Sequence, residues 1–503
     1  MRHHIPQSRH NERSHRALVL HLWRNHWQLL PLLITVGIVP LLVLLHITPI
    51  PTAYQPFWIT EQVFDFFSYY KAQLIIVCAA VLLLNILFLY VRKQLPPQPI
   101  PYVIPLLSYA LLLICSALLS AHSSIALHGF FERYEGMWVL LSYLILLLAS
   151  AVLITTVRQV WLVVQVWAIA LAIMAGIGVS QFIGFDPFQT ESGRLLIIPQ
   201  RYESLAAYLE FHFPPHWVYA TLYNPNNVAH MMALALPITT TAILCAPTKR
   251  SRFSFALLTG LLLIVLAGTH ARGGWVAILS AALLVLMIVF QPAIRRYWRQ
   301  IKQFALVFVV MGVFWLAWNL NHHQVFTAHN PQLNQTSISF HETFLETLIR
   351  HYGTLGSGRM YIWLRSLEQM DDTLLIGRGP DTFALYFPNQ DEYKRFFNQP
   401  EAFIDKPHNS YLQTWLNLGG GATLALFVLL FTHAKRTFLL LTTAPHNTDL
   451  YPLSLGLYAS WVAYLIAAVF YDSVVSVAPI FWIIFGLSVA VNQLLKMTMQ
   501  ATS

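Results

Sequence analysis

Three short stretches of this sequence carry residues suited to holding a polyanion and moving a proton. Arg272 stands in GTHARGGW, Arg359 and Arg365 in SGRMYIWLRSLEQM, and His408 in DKPHNSYLQTWLNLGGG. A guanidinium matches phosphate oxygens with paired hydrogen bonds, so several converging on one cavity suit a diphosphate. An imidazole of near-neutral pKa can take a proton from a sugar hydroxyl. Each residue also has a plainer reading. Arg272 can be an arginine snorkelling from a helix end. Arg359 and Arg365 can form ordinary ion pairs with Glu368, Asp371 or Asp372, and His408 is one of 21 histidines. Glu401 and Asp405 precede His408 either as orienting acids or as solvated loop charges. Met360–Met370 has helical periodicity, which puts Arg359 and Trp363, four apart, on one face.

The elements that must position these residues are membrane spans. The chain has 503 residues, 57% hydrophobic and only 10% charged, with mean hydropathy +0.57. Soluble domains carry about 25% charged residues, so lipid is the solvent this composition fits. Twelve apolar runs are long enough for a bilayer core: 29–47, 72–91, 102–121, 137–157, 160–183, 226–246, 253–269, 274–291, 301–320, 411–433, 453–471 and 477–495. With the N-terminus inside, the inner segments hold 18 of the 30 Lys+Arg, while 19 of the 21 acidic residues fall outside. That is the positive-inside pattern, with both termini cytoplasmic in the cell membrane. The net charge of +9 is then largely a topology signal and not a nucleic-acid surface. Residues 1–28 read as a basic cytoplasmic tail, with His3, His4, His10 and His15 solvated and no removable signal peptide. Spans one to nine occupy 29–320, with an outward loop at 184–225, and the last three occupy 411–495. A second outward loop, 321–410, is too long to lack structure, and Phe340–Tyr352 has helical spacing. The expected fold is all-α and polytopic, with about 12 transmembrane helices and a large, partly helical outward loop.

Other chemistries find little support. Cys78, Cys115 and Cys245 lie in apolar runs with no close spacing, against a disulfide framework or zinc site. There is no P-loop and no H-E-x-x-H. GRGPDTF at 377–383 lacks a strand–turn–helix context and reads as a turn. No Asp-x-Asp pair sits at a span end, so neither metal nor cofactor is expected.

Four stretches in order resemble the O-antigen ligase/polymerase family of envelope glycan enzymes: LYNPNNVAHMMALALP (222–237), GTHARGGWVAIL (268–279), SGRMYIWLRSLEQM with LLIGRGPDTF (357–383), and HNSYLQTWLNLG (408–419). The core of the resemblance spans 217–435. It implies a GT-C-like architecture and transfer of a glycan from a polyprenyl diphosphate carrier to a hydroxyl of a glycan, glycolipid or protein acceptor. No nucleotide or obligatory metal is implied. Carried over, Arg272 and Arg359 hold the diphosphate, with Arg365 a rival. His408 activates the acceptor, and Asn224, Asn226, Asn409 and Trp363 support the site. Attack opposite the diphosphate would invert the anomeric centre. Positive charge, a base and orientation are what such a reaction needs from the protein. His270, Ala271 and Gly420 depart from the family pattern. Ligase and polymerase are not separated by these motifs. A twelve-span transporter is the competing class, against which most spans lack ionisable residues at mid-depth. A non-catalytic assembly scaffold is a third reading.

Overall fold

The computed structural model describes residues 27–57, 61–94, 102–211, 213–291, 348–349, 352–353, 355–388, 403–445, 448 and 450–502. The chain divides into two compact units, residues 1–282 with 365–503, and residues 283–364.

The first unit is a helical bundle. Its first helix, α1 (Leu30–Gly37), is followed by a 3-10 turn at Val39–Leu41. The apolar run 29–47 is therefore not one helix. Pro40 has no N–H to give to Val36, and its ring clashes with that turn. The chain then forms a small antiparallel ribbon, β1 (His46–Pro49) with β2 (Gln62–Asp65), in which His46 faces Asp65 and Pro49 faces Gln62. The Asp65 carboxylate accepts from Ser68 N–H and from Tyr69 N–H at 2.7 Å. It caps α2 (Tyr69–Val91), where a negative charge is favoured at a helix N-terminus.

The helices α3 (Val103–Leu118), α4 (Ser123–His128), α5 (Met137–Leu153) and α6 (Val157–Phe182) follow, then α7 (Glu191–Ile197), α8 (Pro225–Cys245), α9 (Lys249–Gly268) and α10 (Arg272–Val289). Capping boxes start α6 (Thr156 with Gln159) and α9 (Thr248 with Ser251), satisfying N–H groups that a helix start leaves open. After α11 (Arg359–Leu367) and the short α12 (Phe383–Tyr386) come α13 (Ser410–Leu418), α14 (Gly420–Thr443), α15 (Leu450–Ala467) and α16 (Ala478–Thr502).

Among the described residues, eight helices are long and apolar enough to cross a membrane, and Trp27–Leu41, Val103–Leu118 and Met137–Leu153 are shorter apolar segments. The expected span 301–320 and most of Phe340–Tyr352 lie outside the described residues. Burial sorts the spans into two kinds. The window in Ala478–Gln500 is 89% buried, whereas that in Arg272–Val289 is only 22% buried. Uniformly apolar helices with so much uncovered surface, such as Leu84, Ile104, Leu111 and Leu279, require a lipid solvent. The protein is an all-α polytopic membrane protein, as its composition implied.

The run 411–433 breaks into α13 and α14 at Gly419, whose φ is +99°. A Cβ there would lie 2.4 Å from the Leu375 carbonyl oxygen. Only glycine fits this corner. The break lets segment 374–379 dock on the helix junction, where Arg378 N–H and Gly379 N–H donate to the Leu416 and Asn417 carbonyls.

The described part of the second unit comprises the end of α10 from Leu283, residues 348–349 and 352–353, and the start of α11. Tyr361 N–H donates to Gly353 O at 3.2 Å, and Gly356, Ser357 and Gly358, all of positive φ, lead into α11.

Candidate active site

The site is built from loops at one end of the first unit's bundle. Two of them run side by side. Lys406 Nζ donates to Ser473 O at 2.7 Å, His408 Nδ1 bonds Asp472 Oδ2 at 2.8 Å, and Ser410 N–H donates to Tyr471 O at 3.0 Å. Alternate residues 406, 408 and 410 thus engage 473, 472 and 471 in turn. Asn409 caps α13, its oxygen accepting from Tyr411 and Leu412 N–H. This leaves His408 at a strained φ of +51°, a conformation that persists only where the surroundings enforce it.

Asp472 is the orienting acid for His408. Burial alone would raise its pKa, but the charge and hydrogen bond of His408, with Lys406 and Arg133 nearby, hold it below the usual carboxylate range. An ionised Asp472 fixes the proton on His408 Nδ1 and leaves Nε2 as the basic nitrogen. Asp405, the candidate for this part in the sequence, instead pairs with Arg133 and is neither free nor solvated. Glu401 lies outside the described residues.

The third loop, GFFERYEG (129–136), joins α4 to α5. It closes tightly on itself: a Cβ on Gly129 (φ +95°) or on Gly136 would come within 2.4 Å of backbone atoms of the loop. Asp381, in the GRGPDTF turn, secures it by accepting Phe130 N–H at 2.7 Å and Glu135 N–H at 3.1 Å. Burial pushes the Asp381 carboxyl up to about 6, against the pull of Lys406. Glu135 is buried, and its carboxylate accepts from Tyr143 Oη, Ser473 Oγ and Lys406 Nζ at 2.8, 2.8 and 3.1 Å. Burial works against the Lys406 charge, yet Glu135 and Asp381 outweigh it and raise its pKa. Glu135 and Lys406 therefore clasp both loops that carry His408 and Asp472. The sequence reading missed Glu132, Arg133, Glu135 and Asp472. A cluster of ions between glycines, in a chain so poor in charge, was the available signal for the first three. Asp472 is a lone acid between the last two spans.

Arg272 begins α10 directly after the α9–α10 turn. Thr269 Oγ1 accepts Ala271 N–H at 3.2 Å, His270 adopts φ +54°, and its ring lies 5.2 Å from that of Trp217. Arg272 itself is exposed. The next residue meets the His408 loops: a Cβ on Gly273 would lie 2.8 Å from Tyr471 Oη, and Tyr471 precedes Asp472. The structure thus brings the Arg272 turn, His408 and Asp472 onto one loop cluster.

The remaining candidates have more local partners. Asn224 caps α8, its oxygen accepting Asn226 N–H at 2.8 Å, ahead of Pro225 at the first helical position. Asn226 lies in the first turn, half-buried. Arg365 pairs with Glu368 at 2.9 Å, one of the ion pairs open to it in the sequence. Arg359 opens α11 and Trp363 lies one turn on, both half-buried. Among the described residues no group of three His, Cys, Asp or Glu side chains is placed to hold a metal ion.

The fold and loop cluster define a helical membrane protein whose cationic and basic groups gather at span ends. Residues 255–428 match the family model described as O-antigen ligase. That segment contains the second, third and fourth motif stretches, so the match supports the resemblance to the O-antigen ligase/polymerase family over about a third of the chain. The match supports a function of the O-antigen ligase/polymerase type. No curated protein matches the chain. Glu132, Arg133, Glu135 and Asp472 lie outside the matched segment.

Proposed function

We propose that the protein transfers a glycan from a polyprenyl diphosphate carrier to an acceptor hydroxyl at the outer face of the cell membrane. The observation that carries this reading is the His408–Asp472 pair beside the Arg272 turn. His408 Nε2 takes the proton of the acceptor hydroxyl as its oxygen attacks the anomeric carbon. The bond from that carbon to the diphosphate oxygen breaks, and the carrier diphosphate leaves with the electron pair. Arg272 and Arg359 neutralise the charge that develops on it, with Arg365 available in the last turn of α11. Pre-placed cations and a base of this kind lower a barrier without reorganising solvent. Attack opposite the leaving group inverts the anomeric centre. The basic segments at the opposite span ends support the outward placement of the site.

The test is direct. Purified protein is mixed with the host's polyprenyl-diphosphate-linked glycan and a panel of acceptors, with and without EDTA. Wild type forms product in both conditions, and His408→Ala and Arg272→Ala do not. Product length separates a polymerase from a ligase. Retained anomeric configuration would refute the inverting step. No product, with carrier-linked glycan or a small solute crossing sealed vesicles instead, would replace transfer by transport.

A further inference from the structure

A cavity of about 270 Å³ opens beside the loop cluster, between the corner that joins β2 to α2, the 129–136 loop and residues 209–211. Its size is near the lower end of small-molecule sites, about 300 Å³. One wall is aromatic and already assembled: the Phe67 ring lies 5.8 Å from Phe211 and 5.5 Å from Tyr223, and Phe66 lies 5.3 Å from Phe211. The polar lining is acidic, with Asp65, Glu132 and Glu210. The cation there, Arg133, is paired with Asp405. Among the described residues neither the Glu132 nor the Glu210 carboxylate accepts a hydrogen bond, whereas Asp65 is committed to capping α2. Burial pushes Glu132 up to about 7 against the pull of Arg133, with Asp65 and Asp405 adding to the rise.

A smaller cavity continues from this one towards the catalytic loops. It shares Glu132, Arg133 and Tyr223 with the first and reaches Lys406 and Val474–Ser476. The segment 471–476 therefore runs from Tyr471, at the Arg272 turn, through Asp472 to the lining of the smaller cavity.

We propose that this cavity is the acceptor subsite and that it takes a neutral or amino-bearing sugar while rejecting uronic acids and phosphorylated sugars. Aromatic faces cover the C–H face of a pyranose, and free carboxylates accept from its hydroxyls or ammonium. Once Glu132 is ionised, above about 7, carboxylates outnumber the one cation and repel a diphosphate, which leaves the donor to the arginine side. The assignment as acceptor subsite rests on the transfer reading. Binding of the sugar does not, so the two fail separately.

Saturation-transfer NMR on the full chain in nanodiscs tests it, with methyl glucoside, methyl glucosaminide and methyl glucuronide as probes. The first two receive saturation, and the glucuronide at least fivefold less. Tyr223→Ala weakens both positive signals at least fivefold. Glu132→Gln, nearly isosteric and so a guard against misfolding, lowers the glucosaminide signal and raises that of the glucuronide. Glucuronide binding as strong as glucoside, or signals indifferent to both Glu132→Gln and Tyr223→Ala, would overturn the site. In the transfer assay Tyr223→Ala raises the acceptor KM about tenfold with donor KM unchanged. A raised donor KM in its place would overturn the acceptor assignment.

Discussion

His408 can serve as a base only while Nε2 keeps its lone pair, and that depends on an ionised Asp472 at Nδ1. Asp472→Asn can still bond the ring but no longer favours one tautomer or stabilises the imidazolium. We expect kcat to fall by about 10²- to 10⁴-fold, the range for losing general base catalysis, with donor KM little changed. Single-turnover kinetics check this. The same pair carries a pH signature. The folded pKa of Asp472 is depressed, so its contribution to stability is fully present above the unfolded carboxyl value of 3.8. It is lost as pH falls through the lower folded value. Melting of wild type and Asp472→Asn should differ from neutral pH to about 4 and converge below. A gap that closed near neutrality would contradict the ionised pair.

Loops at the span ends set this geometry, and the buried Glu135–Lys406 pair joins three of them. Removing one partner strands a buried charge, at a cost of about 3–5 kcal/mol, whereas removing both can be nearly neutral. Lys406→Met and Glu135→Gln should each lower the unfolding midpoint more than the double variant does, as read by denaturant unfolding in detergent. Additive losses would show that the pair is not coupled. A second element-scale test is the α13–α14 corner. Gly419→Ala forces a Cβ towards the Leu375 carbonyl at positive φ. It should destabilise the protein by at least about 1 kcal/mol and loosen the 374–379 segment, seen as faster amide exchange there. Unchanged exchange would mean that the corner does not depend on glycine.

At the scale of the whole molecule, the charge pattern predicts which way the bundle faces. In a variant lacking Cys78, Cys115 and Cys245, a single cysteine at Ser473 should react with a membrane-impermeant maleimide in intact cells. One at Ser251 should react only after permeabilisation. The reverse pattern would place the candidate site inside and end the proposed reaction with an external donor. The lipid-facing helices α2 and α10 are more apolar than the buried α8, α15 and α16, as expected if polar groups are kept inside the bundle and apolar surface faces lipid.

The sequence alone determined the solvent, the helical class and most spans, because these depend on composition and on runs of about 20 apolar residues. It singled out Arg272, Arg359 and His408 through the resemblance of their motifs to a known family, since His408 is one of 21 histidines and each arginine also has a plainer reading. It placed one long helix over 29–47, where a proline ends α1 early and a ribbon follows, and one over 411–433, where Gly419 divides two helices. Only the tertiary structure joined His408 to Asp472, 64 residues away, and Lys406 to Glu135, 271 residues away. No periodicity encodes such pairings. They arise when helices pack and bring loops from distant parts of the chain together, where buried charges must find partners.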